Sequence, residues 1–185
     1  MNFIYLSPST QEFNEYISGG TEEFYMNLIA DRMTPYLLAS KIGFTRNIPT
    51  MTAVNSTLQS NLGEYGLHLS LHSNAGPKDL SGILRGSVIY YFPGSVLGKE
   101  AAEIFAKNLK TIYPVPSLIK IVPTTTLFEV ARTNAPSILV ETAYHDNEED
   151  AFWIKNNIEK IAENYVLSLT EFFKIPFIRP TCVFE

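Results

Sequence analysis

The chain has 185 residues, 45% hydrophobic and 18% charged, enough to bury one full core without disulfides or a structural metal, which excludes a disordered or fibrous protein. Its net charge of −5, with lysines and arginines scattered, argues against nucleic acid as a partner, because phosphate binding usually needs a basic patch. No stretch is long and apolar enough to span a bilayer, the first residues do not read as a secretory signal, and the single cysteine, Cys182, cannot form an internal disulfide.

In chain order, residues 2–6 predict a first strand, followed by a polar loop through Gly19-Gly20. Thr21 is a good N-cap, and Glu22 and Glu23 suit the positive end of a helix. Tyr25, Leu28, Ile29, Met33 and Leu37 then recur at helical spacing, with Pro35 as a kink-prone position. Residues 42–46 read as a second strand and 51–62 as a second helix. In 66–72, His68, Ser70 and His72 share one face of a third strand, and Leu67, Leu69 and Leu71 share the other. A fourth strand over 87–92 ends at Pro93-Gly94, and a helix over 98–112 follows. Residues 118–122 and 126–130 read as two short strands separated by Pro123. The most apolar strand, 137–140, precedes one long helix from about 147 to 173. This alternation implies an α/β fold: a single domain, with a mostly parallel, mixed sheet flanked by helices on both faces. The domain is expected over residues 1–175, with 176–185 an extended tail or linker.

In open sheets of this kind, ligands gather beyond the carboxyl ends of the strands. Three apolar runs stop there on reactive residues and offer Gln11, His72 and Glu141, which would surround one substrate if the three strands are neighbours. An acid directly after Ile138-Leu-Val140 has little reason to be there unless it is paired or functional, and Arg132 is a candidate partner for it or for substrate. Taken singly, His72 is equally compatible with a hydrogen-bonded core histidine, and Glu23 with a charge stabilised by a helix dipole. His68, mid-strand, reads as structural.

Four segments together resemble the zinc-dependent N-acetylmuramoyl-L-alanine amidases of bacterial cell-wall turnover and phage lysis. They are Thr21-Glu-Glu-Phe-Tyr-Met-Asn27, Gly43-Phe-Thr-Arg46, Ser70-Leu-His-Ser-Asn-Ala75, and Ala135-Pro-Ser-Ile-Leu-Val-Glu141 followed by Asn147-Glu-Glu149. The resemblance implies that Glu23 and His72 bind zinc and that Glu141 is the catalytic carboxylate; Asn74 reads as fixing the loop geometry after His72 and is a candidate for substrate contact. Such chemistry is coherent, because a catalytic zinc takes about three N or O ligands and keeps a position open for water. The chain departs from the family pattern after the first strand, where Thr10 in Ser7-Pro-Ser-Thr-Gln-Glu12 stands in place of the first histidine ligand. Gln11 and His145 are the candidates to replace it.

The implied activity is hydrolysis of the amide between N-acetylmuramic acid and L-alanine of peptidoglycan, at the cell wall after release or in the cytoplasm until lysis. The alternative is a module of the same fold that binds peptidoglycan or muropeptide with its zinc site weakened or lost. A nucleotide binder is disfavoured, because no glycine-rich loop follows the first strand.

Overall fold

A computed structural model describes residues 1–181, so Cys182 and the last three residues of the expected tail lie outside the described residues. Phe3–Pro8 (β1), Gly43–Arg46 (β2), Leu67–Asn74 (β3), Val88–Tyr91 (β4), Lys120–Pro123 (β5) and Ser137–Tyr144 (β6) form one sheet in the order β2-β1-β3-β6-β4-β5. β1, β2, β3 and β6 are parallel, while β4 is antiparallel to β6 and parallel to β5. The sheet is therefore mixed and mostly parallel, and β1, β3 and β6 are direct neighbours, as the convergence of Gln11, His72 and Glu141 requires.

The helices are Glu22–Ala39 (α1), Ala53–Ser60 (α2), Val96–Leu109 (α3), Phe128–Ala131 (α4), Glu148–Asn156 (α5) and Ile158–Phe173 (α6). The period of two gives the sheet two unlike faces. Ile4, Leu6, Leu67, Leu69, Leu71, Ile89, Ile138 and Val140 form the apolar face, packed against Met26, Ile29 and Met33 of α1, Phe105 of α3, and Ile161, Tyr165 and Leu169 of α6. Each fully buried side chain there contributes about 1.5–3 kcal/mol of transfer free energy. The opposite face carries Tyr5, Ser7, His68 and Ser70 and is covered by α2 and α4, with Gln59 accepting from Tyr5, Glu129 accepting from Ser70, and Ser56 and Ser60 hydrogen-bonded to Ser7 and His68.

Two expectations fail. Residues 126–130 are not a strand: Leu127 leads into the single turn of α4, with Val130 N and Ala131 N both bonded to Leu127 O. The long last helix is two, because Asn157 leaves helical geometry at φ −130°, ψ 23° and its Nδ2 donates to Trp153 O (2.8 Å). By contrast α1 runs unbroken through Pro35.

The segment between β3 and β4 is fastened to the end of β6 by acids of the β6–α5 turn. Asp146 Oδ2 accepts from Gly76 N (3.0 Å) and Gly82 N (3.2 Å). Fully buried Asp150 accepts from Gly86 N (2.8 Å) and Tyr144 N (3.1 Å) and also holds Tyr113 OH and Arg85. Removing it strands two buried amides and a phenol. Asp150→Ala is expected to lower unfolding free energy by about 3 kcal/mol, read by urea denaturation; a change under about 1 kcal/mol would show that water replaces the carboxylate.

Candidate active site

His72 ends the polar face of β3, and a register shift between His72 and Asn74 locally disrupts the ladder with β6 there. Such bulges re-aim side chains. The ring is buried, with a carboxylate at each nitrogen: Glu22 Oε1 lies 2.8 Å from Nδ1 and Glu129 Oε2 2.9 Å from Nε2. Glu141, the register partner of His72 on β6, lies on the same side of the sheet. It is half-buried, and its Oε2 is sealed from solvent with no hydrogen-bond partner.

The start of α1 delivers Glu22. Tyr16 N bonds Gly20 O (2.9 Å) and Glu22 N bonds Asn14 O (2.9 Å), closing a tight turn before the helix. Gly20 has φ +84°, and a Cβ there would lie 2.7 Å from the Tyr25 ring, so only glycine suits the position. The Thr21 side chain then accepts from Phe24 N, capping the helix. Glu22 is the first helical residue and turns inward; its Oε2 also accepts from Asn14 Nδ2 (2.5 Å). Glu23, one residue and about 100° further round the helix, is half-buried and forms no hydrogen bond or ion pair through its carboxylate among the described residues. The structure thus brings Glu22, rather than the expected Glu23, to His72.

Gln11 reaches the same edge of the ring, its Nε2 3.4 Å from His72 Nδ1 and its Oε1 accepting from Asn14 Nδ2 (3.0 Å). Two residues of the family-like segments fix its loop. Asn27 Nδ2 donates to Ser9 O (3.0 Å), and Arg46 donates to Asn27 Oδ1 (2.8 Å) and pairs with Asp31. His145 is elsewhere in the network: its Nδ1 meets Ser73 O (2.9 Å) and Oγ (3.1 Å), and its ring stacks on Tyr16. Asn74 caps the end of β3, its Oδ1 accepting from Ala75 N. Arg132 is exposed; its N–H donates to Phe128 O (3.0 Å), its carbonyl accepts from Asn61 Nδ2 (2.7 Å), and its side chain does not pair with Glu141.

Sequence reasoning missed Glu129. It comes from α4, read as a strand, and is 4% exposed, with Oε1 taking hydrogen bonds from Ser7 Oγ (2.7 Å) and Ser70 Oγ (3.1 Å). An acid between Phe128 and Val130 was the available signal, the same signal that marked Glu141.

The profile of the N-acetylmuramoyl-L-alanine amidase family matches residues 10–171, and the chain belongs to that family. Solved structures share its fold at low identity. AmiC2 of Nostoc punctiforme, an N-acetylmuramoyl-L-alanine amidase, superposes with a TM-score of 0.81 at 15% identity, over 93% of this chain and 97% of that one. An N-acetylmuramoyl-L-alanine amidase from Clostridium difficile 630 gives 0.81 at 17% identity, over 93% and 96%. The catalytic domain of the CD27L endolysin, which targets Clostridia difficile, gives 0.73 at 19%, over 91% and 97%. No curated protein sequence matches the chain.

Among the described residues, no three His, Cys, Asp or Glu side chains gather into a metal-binding group. The groups that do converge are His72 Nδ1 and Glu22 Oε1, with Gln11 turning its Nε2 rather than its Oε1 towards the ring. Imidazole and carboxylate are donors that zinc accepts, and the Gln11 amide would join them only through its oxygen. The orphaned, buried Glu141 Oε2 lies on the same side of the sheet. His72 and Glu22 therefore supply two donors of the kind a catalytic zinc takes, short of the about three it needs.

Burial opposes ionisation of Glu22 and Glu129, but hydrogen bonds from His72 and Asn14 to the first, and the nearby His68 together with the hydrogen bond from His72 to the second, hold both below the usual carboxylate range. Burial likewise opposes a charge on His72, yet the two carboxylates hold it well above its ordinary 6.5. Glu141 is pushed up from 4.5 to about 7 by burial, with the negative charges of Glu22 and Glu129 adding to the rise and the charge of His72 opposing it.

These directions set how the metal-free protein responds to pH. Glu22 and Glu129 contribute stability above about pH 4.5 that is lost as pH falls; His72 contributes below 6.5 and loses this only well above that value. The contribution of Glu141 is present below 4.5 and is lost as pH rises through about 7, amounting to no more than about 3 kcal/mol. Thermal unfolding in chelator should therefore peak between about pH 4.5 and 6 and decline towards pH 8. Glu141→Gln should flatten the alkaline decline; stability that rises from about pH 6 to 8 would contradict this assignment of charges.

Proposed function

We propose that this chain hydrolyses the amide between the lactyl group of N-acetylmuramic acid and L-alanine of peptidoglycan, at the cell wall, using zinc held by His72, Glu22 and Gln11. The observation that supports this reading is the contact of His72 with Glu22, 2.8 Å apart, at the end of β3 beside a carboxylate that burial pushes up to about 7. Zinc bound there supplies a Lewis acid for the scissile carbonyl and a water of lowered pKa. Glu141 suits the proton transfers. Near pH 7 it is divided between its acid and base forms, so it can take a proton from the attacking water and return it to the leaving amine of L-alanine. Glu22 lies next to Glu141 electrostatically and helps to keep it from ionising outright. Asn14 holds the Glu22 and Gln11 side chains together, so both enter the site in fixed orientations. Asn74, just past the bulge at the end of β3, is the residue to which we assign substrate contact.

One observation favours the second reading, a peptidoglycan-binding module: Thr10 stands where the family pattern has a histidine, and a neutral hydroxyl, or the amide of Gln11 beside it, is a poor zinc ligand. The two readings separate on variants. Release of L-alanine peptides from purified peptidoglycan should fall about 10²–10⁴-fold in Glu141→Gln while zinc content is unchanged, and His72→Ala should lose the zinc. Wild-type turnover by Glu141→Gln would overturn the mechanism; wild-type protein that holds muropeptide without zinc or turnover would establish the binding module.

A further inference from the structure

We propose that the strip of sheet beyond Glu141, across β4 to β5, receives the stem peptide, and that Lys120 binds a carboxylate on the residue after L-alanine. The substrate selected is an acidic stem peptide rather than its amidated counterpart. This rests on the amidase reading above, in which Glu141 returns a proton to the leaving amine, and it is independent of which residues complete a metal site.

Strand register sets the geometry. His72 of β3 pairs with Glu141 of β6, Glu141 with Val88 of β4, and Val88 with Lys120 of β5. Directly opposed residues share a face, so these four form one row across the sheet. Ile89, between Val88 and Tyr90, is fully buried in the apolar core, so Val88 and Tyr90 both turn to the face of Glu141. The two ends of the row differ. On the β3 side the polar face lies under α2 and α4 and is filled by buried hydrogen-bonded side chains. On the other side α3 packs against β4 and β5 from the apolar face. Exposure on the polar face rises outward there: Val88 is 8% exposed, Tyr90 and Val122 are half-buried, and Lys120 is exposed. A peptide whose amine lies against Glu141 therefore finds its way closed towards β3 and open over Val88. Adjacent strands are about 4.8 Å apart, which puts Lys120 about 10 Å from Glu141 between Cα atoms. An extended peptide advances about 3.4 Å per residue, so the residue after L-alanine lies about 7 Å along the row. The ammonium of Lys120, on its flexible four-carbon stem, reaches a carboxylate there. It pairs with no acid among the described residues, so its charge is available to a ligand.

The test compares hydrolysis of two probes, N-acetylmuramoyl-L-alanyl-D-glutamate and its diamide, by wild type, Lys120→Met and Lys160→Met. Wild type should favour the acid about 3–10-fold in kcat/KM, through KM, and the preference should shrink as salt rises. Lys120→Met should lose the preference by raising KM for the acid, with kcat and the diamide kinetics kept. A purely structural role for Lys120 would move both probes alike. Lys160→Met makes the same charge change on exposed α6, across the sheet, and should keep the preference. Equal kinetics of wild type on the two probes, or a preference that survives in Lys120→Met, overturns the proposal while leaving the amidase reading intact. So does an equal loss in Lys160→Met, which would trace the preference to the overall field of the protein. If wild type hydrolyses neither the probes nor purified peptidoglycan, the amidase reading falls, and this subsite with it.

Discussion

His72 sits buried at the end of β3 with Glu22 2.8 Å from one ring nitrogen and Glu129 2.9 Å from the other. Two buried carboxylates are costly unless a positive charge lies between them, and a protonated imidazole supplies one. Glu141, beside the trio on β6, holds its proton to about pH 7 chiefly because it is buried, with the charges of Glu22 and Glu129 adding to the rise against the opposing charge of His72. A divalent cation in place of the proton between His72 and Glu22 would balance the two carboxylates and leave Glu141 freer to ionise. The charge pattern of the protein alone therefore has the sign and the place that a metal would complete.

The rest of the fold holds this arrangement in place. One face of the sheet is a continuous apolar surface against α1, α3 and α6, and it supplies the burial that makes the domain stable. The other face gives up apolar packing for serines, a histidine and an acid linked by hydrogen bonds under α2 and α4. A fully satisfied polar network contributes less stability than packed hydrocarbon, yet it sets side-chain directions that hydrocarbon does not. The Asn27–Arg46–Asp31 group does the same for the loop bearing Gln11.

Much of this was legible in the sequence where one periodicity decided the matter. His72 and Glu141 end strands whose alternation is plain, and their neighbourhood follows once β3 and β6 pair. Glu22 was taken for Glu23 because a shift of one residue at a helix start turns the side chain by about 100°, and that phase is set by a turn at Gly20 rather than by any pattern inside the helix. Glu129 was illegible for a different reason. Thr126 to Val130 is a short, mostly apolar run with β-branched and aromatic residues that reads as a strand, the helix that replaces it is a single turn, and the partner of Glu129 lies 57 residues away in the chain. The break at Asn157 carries no glycine or proline to mark it.

Membership of the amidase family and the shared fold agree with this chemistry, while Thr10 and Gln11 set the chain apart at the first metal ligand. The central claim is that zinc lies against Nδ1 of His72, between Glu22 and Gln11. Anomalous diffraction at the zinc edge from crystals grown with zinc tests it most directly. The account predicts one strong peak about 2.0–2.2 Å from His72 Nδ1 and from a Glu22 oxygen. A peak at Nε2, a peak at His145, or no peak near His72 would contradict it.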